Sequence, residues 1–583
     1  MIKPLLLCVA AAVLLGGCGG DPDAAAASGA ASSAGSADRV DASTGPARKT
    51  DNLSFITSDG ITLHAKLSYS GTLQARPLIV EFSPYSGNGI PDFGARYNHV
   101  FVHARGSGES GGSWSAVGPL DQRDVAELLQ WACAQPWSNG HIGLYGFSAS
   151  AIAVYNSLHQ PLACVDAAAL MAGTHELYRD LLYPGGMTNV LPAIAVGLGV
   201  GGPLLASIPQ RLATGENISP LPPAIGMGGI LANLLLHPTL DAYWQARTQR
   251  PGPNRFPVLA DTGFYDVESR GPFESYRALR AQGVPVHLRV FGAHDGFPAD
   301  TPGPFVEYQR WFDRFLLGEN NGIDQEPRVQ MLIGIGGYQA QINGAVKHYS
   351  ASDWPVPGTQ WQTLFLNADQ RLTDHPASTS DKQSYLALTS GLATDPYTTA
   401  TVAPISPLAD LLSGVLTAGP QSLHYTSDAL QTAVDIVGPA SLILHAASLL
   451  PEADFHAVLS DVWPDGSVHP VGAGRLRSSF PHLLTERTLY NARGEPIQPT
   501  ADFSAKDRAR PGQMREYAIE FWPIGNRFET GHRLRLSLVA APSYDLTLPG
   551  GLITVGLGGI TPSRLLLPVL PHNDLCAALG SAC

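Results

Sequence analysis

Positive charge is scarce and nowhere concentrated: 36 lysines and arginines stand against 49 aspartates and glutamates, a formal net charge of −13. A nucleic-acid partner needs a clustered basic face, so that class is excluded. Metal and nucleotide patterns are equally wanting. No zinc or calcium spacing occurs, and Gly106, Gly108 and Gly111 lack the lysine or the fingerprint acid that a nucleotide loop requires. His99 and His103 share a strand without a carboxylate or cysteine set beside them, so no metal and no cofactor is expected. There is no internal repeat, which sets repeat architectures aside.

What is present is a long globular chain. With 583 residues, 44% of them hydrophobic, two or three folded units are expected. The start, MIKPLLLCVAAAVLLGGCGG, combines a lysine, an apolar run too short to span a bilayer stably, and small residues before Cys18. This is a signal-peptide pattern. Leu15-Gly16-Gly17-Cys18 resembles a bacterial lipobox; the resemblance implies cleavage after residue 17, a lipid on Cys18 and, with Gly19 next, export to the outer membrane. Plain secretion is the alternative. Residues 18–50 are rich in Ala, Ser, Gly and Asp and cannot bury a core; such a leash reaches about 30 Å. In an oxidising compartment Cys133, Cys164, Cys576 and Cys583 are disulfide candidates. The expected pairs are Cys133 with Cys164, at one edge of a sheet, and Cys576 with Cys583, closing a short terminal loop; four free thiols are the alternative.

Residues 51–173 read as alternating strands and helices: ITLHAKLSYS and RPLIVEFSPYS, then RYNHVFVHA, the amphipathic DQRDVAELLQWACAQPW, the strand of GLYGFSASA, a helix and CVDAAALMAG. That order makes a parallel sheet covered on both faces. Between 174 and 250 two uncharged apolar runs approach membrane-spanning length but are broken by Pro and Gly, so they read as a helical cap over a cleft rather than as spans. The sheet alternation resumes over 251–326. From 327 to 583 short alternating runs replace helical periodicity, the texture of an all-β sandwich or jelly roll.

Within that frame Gly146-Phe147-Ser148-Ala149-Ser150 stands where an apolar strand meets an uncharged helix. A nucleophilic serine needs such a turn, with small residues on either side, to hold its hydroxyl above the sheet. Alone the motif is weak. Its partners should follow as acid and then histidine, and Asp266 and His294 each lie just past a strand end. Asp261 lies inside its strand and reads as a packed carboxylate, Asp295 and Asp300 follow His294 too closely to orient it, and His287 reads as a satisfied core histidine.

Several stretches together resemble the CocE/NonD hydrolases: SPYSG (Ser83 to Gly87), ARGSGESGG, QPWSNGHIGLYGFS, HPTLDAYW, GFYD, FGAHDG, WFDRFLLGENNGI, DVWPDGS and GHRLRL. The resemblance implies an α/β-hydrolase with an inserted helical cap and a C-terminal jelly roll. It also implies a triad of Ser148, Asp266 and His294, with Tyr85 and the backbone N–H of Ala149 as oxyanion hole. Two positions depart from the family: Ala149 replaces an aromatic residue, which leaves the backbone donor intact, and His103 replaces an aspartate, which puts a buried pairing of Arg105 in doubt. The expected activity is hydrolysis of a small-molecule carboxylic ester through an acyl-enzyme. An Xaa-Pro dipeptidyl peptidase or amide acylase of the same family is the first alternative, disfavoured by the few carboxylates of the cap. A non-catalytic surface lipoprotein is the second.

Overall fold

The computed structural model describes residues 48–85, 90–189, 232–387, 422–540 and 551–581. The expected signal peptide, Cys18 and nearly all of the leash, most of the two apolar cap runs, and Cys583 lie outside the described residues.

The first sheet is built from β1 (Arg48–Ile56), β2 (Thr62–Ser70), β3 (Arg76–Ser83), β4 (Asn98–His103), β5 (Ser138–Phe147), β6 (Val165–Met171), β7 (Val258–Thr262), β8 (Val286–Val290) and β9 (Val329–Ile335). Across the sheet they run β1-β2-β4-β3-β5-β6-β7-β8-β9; β2 pairs antiparallel with β1 and β4, and every later pairing is parallel. β4, β7 and β8 are buried along their whole length, because helices cover both faces of a parallel sheet. Those helices are α1 (Pro119–Cys133), α2 (Ala149–Ser157), α3 (Arg270–Ala281) and α4 (Pro304–Leu316). α4 shows why they form. A proline opens it, Tyr308, Trp311, Phe312 and Leu316 fall on one buried stripe, and Glu307, Arg310 and Arg314 face outward. Gly143 of β5 receives that stripe: a Cβ there would come within 2.7 Å of the Phe312 ring.

The sheet runs past the boundary expected between residues 326 and 327. β9 pairs in parallel with β8 and then turns back antiparallel on β10 (Val346–Ala351). Alternation marks Val329–Ile335 as a strand, but the sheet that receives it is chosen by a pairing made in space. Beyond β10 the regular structure among the described residues is almost all strand, as the texture predicts, with one short helix at Leu575–Ala578. The longest of these strands, β11 (Val434–Ser448) and β12 (Arg515–Phe528), pair antiparallel with a register shift between Gly438 and Ala440. Asn526 and Arg527 of β12 also pair with Gly334 and Ile335 of β9, so backbone hydrogen bonds join the two halves.

Of the cap expected over 174–250, the described residues include short helical turns at Tyr178–Leu182, Pro184–Gly186 and Ala242–Gln245. Tyr178 and Tyr183 stack at 4.6 Å between ring centroids, and Trp244 meets both edge-on. Among the described residues no helix is long and apolar enough to cross a membrane.

Two readings of single residues are corrected. Arg105 is buried and paired after all: Asp124 of α1 takes its Nε and Nη2 at 2.6 Å each, with Asp59 at 3.2 Å. A helix carboxylate thus replaces the one that His103 displaces. His287 is buried against Trp311, but among the described residues its Nδ1 has no partner, so the ring is packed rather than satisfied; burial lowers its pKa to about 4.

Cys133, at the end of α1, is bonded to Cys164, in the turn before β6, with Cα atoms 6.1 Å apart. Cys576 is also disulfide-bonded. The Cys133–Cys164 bridge closes a separation of 31 residues, worth about 3–4 kcal/mol through restriction of the unfolded chain. Replacing both by serine should lower the unfolding free energy by that scale, and the urea midpoint with it, while leaving the folded site intact, as urea titration of the oxidised protein and the double variant would read.

Candidate active site

β5 ends at Phe147, and the chain turns sharply into α2 through Ser148, whose φ of 56° and ψ of −123° lie outside the regions that L-residues favour. The turn is held on both sides. Ser148 donates its N–H to Met171 O at 3.0 Å, and its carbonyl accepts from Ile152 N at 2.9 Å. Crowding explains the small neighbours: a Cβ on Gly146 would lie 2.7 Å from Ala151 N. Ser150 is fully buried and donates its hydroxyl to Glu81 Oε1 of β3 at 2.8 Å.

The Tyr85 hydroxyl donates to Ser148 Oγ at 3.3 Å, and the Ala149 backbone N–H reaches the same phenol oxygen. Burial pushes the Tyr85 phenol up to about 12, so it remains a proton donor throughout the neutral range. The Tyr85 phenol thus joins the serine oxygen to the Ala149 amide, across separate elements.

Asp266 follows β7 and His294 follows β8. The fully buried Asp266 accepts through Oδ2 from His294 Nδ1 at 2.9 Å and from the His294 backbone N–H at 2.6 Å; its Oδ1 accepts from Glu268 N at 2.7 Å. Burial pulls the imidazole pKa down, but the Asp266 charge, with smaller help from Glu268 and Asp295, carries it up to about 9. The His294 ring lies against Phe147, centroids 4.5 Å apart, next in the chain to Ser148.

Sequence reasoning missed one carboxylate here and left a second without a role. Glu268 is buried; its Oε2 accepts from Gly173 N at 2.5 Å and its Oε1 from Ser148 Oγ at 3.5 Å. Burial lifts its pKa to about 7, with His294 opposing and Asp266 reinforcing the shift. The visible signal was an acid two residues past Asp266 in DVES. Asp295 was set aside as too close to His294 to orient its ring, yet it shapes both loops, accepting from Ala293 N at 2.8 Å and Tyr265 N at 3.0 Å. Gly263 makes room for it, since a Cβ there would fall 2.1 Å from its carboxylate.

The Ser148 hydroxyl therefore rests between Tyr85 and Glu268; among the described residues no hydrogen bond joins it to His294. The ligand atoms of Asp266, Glu268 and His294 lie within 4.8 Å of one another, a donor set that could take a divalent cation, although all three groups already bond within the site. Asp261 lies apart, accepting from the Tyr308 hydroxyl at 2.7 Å.

Residues 59–294 match the X-Pro dipeptidyl-peptidase (S15 family) domain, and residues 321–552 match the X-Pro dipeptidyl-peptidase C-terminal non-catalytic domain. Cocaine esterase of Rhodococcus sp. (strain MB1 Bresler) is 24% identical over 517 residues, which span 77% of this chain and 84% of that protein. A CocE/NonD family hydrolase from Staphylococcus aureus superposes with a TM-score of 0.69 at 19% identity, covering 90% of this chain and 94% of the other. An α-amino acid ester hydrolase superposes with a TM-score of 0.67 at 16% identity, covering 94% and 100%. These two domains in this order, on an α/β-hydrolase fold followed by a β domain, make the chain a serine hydrolase of the CocE/NonD family.

Proposed function

We propose that the protein hydrolyses carboxylic esters through an acyl-enzyme formed on Ser148. The observation that carries this reading is the Asp266–His294 pair beside a serine held in a strained turn, with the Tyr85 phenol bonded both to its oxygen and to the Ala149 amide. Asp266 occupies Nδ1 and so leaves Nε2 to take a proton. As an ester carbonyl enters, the Ser148 hydroxyl turns from Glu268 toward His294, gives up its proton and attacks. The carbonyl oxygen becomes an oxyanion facing Tyr85 and Ala149 N–H, and His294 then protonates the departing alcohol. Water repeats the sequence on the acyl-enzyme and frees the acid.

The apolar, charge-poor runs expected in the cap favour esters with apolar acyl or alcohol parts. Glu268 favours a second reading. A buried carboxylate against the nucleophile would suit a substrate ammonium, as on an amino-acyl ester or a peptide N-terminus, and one structural relative is an α-amino acid ester hydrolase. We also propose that Cys18 carries lipid and tethers the enzyme to the outer membrane; intact-mass measurement of protein from detergent extracts would find an unmodified Cys18 if that is wrong.

Wild-type protein should be labelled by a fluorophosphonate and Ser148→Ala should not; equal labelling, or ester turnover by the variant, would sink the assignment. Tyr85→Phe should remain folded and lose on the order of 10²–10³ in kcat, the usual cost of one oxyanion donor. A panel of aryl esters, α-amino esters and Xaa-Pro anilides separates the two readings: the first expects plain esters to be fastest, the second expects amino-acylated substrates, with Glu268→Gln raising their KM selectively.

His294 must be neutral to accept the proton, so kcat/KM should rise with pH through the mildly alkaline range. Glu268→Gln removes one charge that holds the imidazole up and should move the midpoint to lower pH; an unmoved midpoint would show that Asp266 acts alone. The linked stability has the opposite course. Because the folded-state pKa is raised to about 9, the contribution of His294 is complete below its unfolded value near ~6.5 and is lost as pH rises through about 9.

A further inference from the structure

The two expected oxyanion donors belong to different elements: Tyr85 follows the end of β3, and Ala149 opens α2. Only a fixed distance between those elements lets both meet one oxygen. Glu81 lies on β3, buried, four residues before Tyr85. Its Oε1 accepts from the hydroxyl of Ser150, the residue after Ala149, at 2.8 Å. On the other side the Ser83 hydroxyl bonds to Glu81, and Ser83 Oγ in turn accepts from Tyr85 N at 3.3 Å. A continuous chain of hydrogen bonds therefore runs from the Tyr85 backbone through Ser83 and Glu81 to the first turn of α2.

We propose that Glu81 and Ser150 form a clamp that sets the spacing of the oxyanion hole, with Glu81 acting as a positioning residue in its neutral, protonated form. This rests on the hydrolase reading above. It also accounts for the polar Ser150 at the small-residue position of the motif, where glycine is usual. A buried carboxyl is tolerable at this place while it is uncharged. Once ionised, it would set a negative charge under the site where the oxyanion develops, and charge repulsion across a low-dielectric interior is strong. Tyr145 of β5, Tyr85, Ser83 and Ser150 are the titratable and hydroxyl groups that face it; none carries a positive charge. Burial lifts the Glu81 pKa to about 7, so the change falls inside a measurable range.

Two variants of nearly unchanged size test the clamp. Ser150→Ala removes the tie, whereas Glu81→Gln keeps an acceptor for Ser150 and cannot ionise. Fluorophosphonate labelling rates, and kcat and KM on one aryl ester, would be measured from pH 6 to pH 9 on monodisperse protein after gel filtration. Ser150→Ala should slow labelling and kcat by about tenfold, the scale of one buried hydrogen bond, with KM unchanged. The ratio of Glu81→Gln to wild-type kcat should climb severalfold from pH 6 to pH 9, which cancels the His294 titration common to both. A Ser150→Ala variant within twofold of wild type, or a ratio flat in pH, overturns the clamp alone. An unlabelled wild type overturns the hydrolase reading and the clamp with it.

Discussion

The arrangement of the site depends on one strained residue. Ser148 holds a positive φ that costs on the order of 1–3 kcal/mol for a residue with a side chain. The strain persists because β6 and α2 each hydrogen-bond the turn, and because Gly146 and Ser150 leave it room. From that one geometry follow the exposure of the hydroxyl toward Tyr85, the placement of Ala149 N–H at the head of a helix, and the contact of Phe147 with His294.

Around the turn the protein gathers more acidic groups than a triad requires. Asp266, Glu268 and Asp295 are all buried near a single imidazole, and Glu81 is buried against Ser150 in the first turn of α2. Desolvation raises the pKa of each buried carboxyl, and neighbouring carboxylates raise those of Asp295 and Glu268 further; Asp295, Glu268 and Glu81 are each lifted to about 7. Backbone amides offset part of that cost. His294 N and Glu268 N serve Asp266, Gly173 N serves Glu268, and Ala293 N and Tyr265 N serve Asp295. The same bonds set the shape of the loops after β7 and β8.

The β domain takes part in this scaffold. Arg270 stands two residues beyond Glu268, is buried, and bridges Asp180 at 2.6 Å and Glu520 of β12 at 2.9 Å. On the His294 side, the Tyr338 hydroxyl donates to Asp295 O at 3.0 Å, and Asn526 of β12 accepts from Gly337 N at 3.0 Å. A buried arginine with two carboxylates is costly to separate, so the loops carrying the acid and the histidine are braced by strands far away in the chain.

Much of this was legible along the chain because it rests on local physics. Alternation and helical periodicity announce strands and helices, a glycine and small residues announce a tight turn, and acid and histidine past strand ends announce loops on one rim. Ser148, Tyr85, Asp266 and His294 were all singled out on those grounds or by resemblance. Other features were hidden because they depend on which distant segments meet. Glu268 looks like any acid at the start of a helix until Gly173 N and the serine hydroxyl close around it. Arg105 seemed to lack a partner until α1 brought Asp124 against it, and Val329–Ile335 gave no sign of which sheet it would join. Composition and periodicity determine what each segment becomes, since those preferences act over a few residues. Burial, charge pairing and strand neighbours arise only once the chain is packed, so tertiary structure alone decided the company that each site residue keeps.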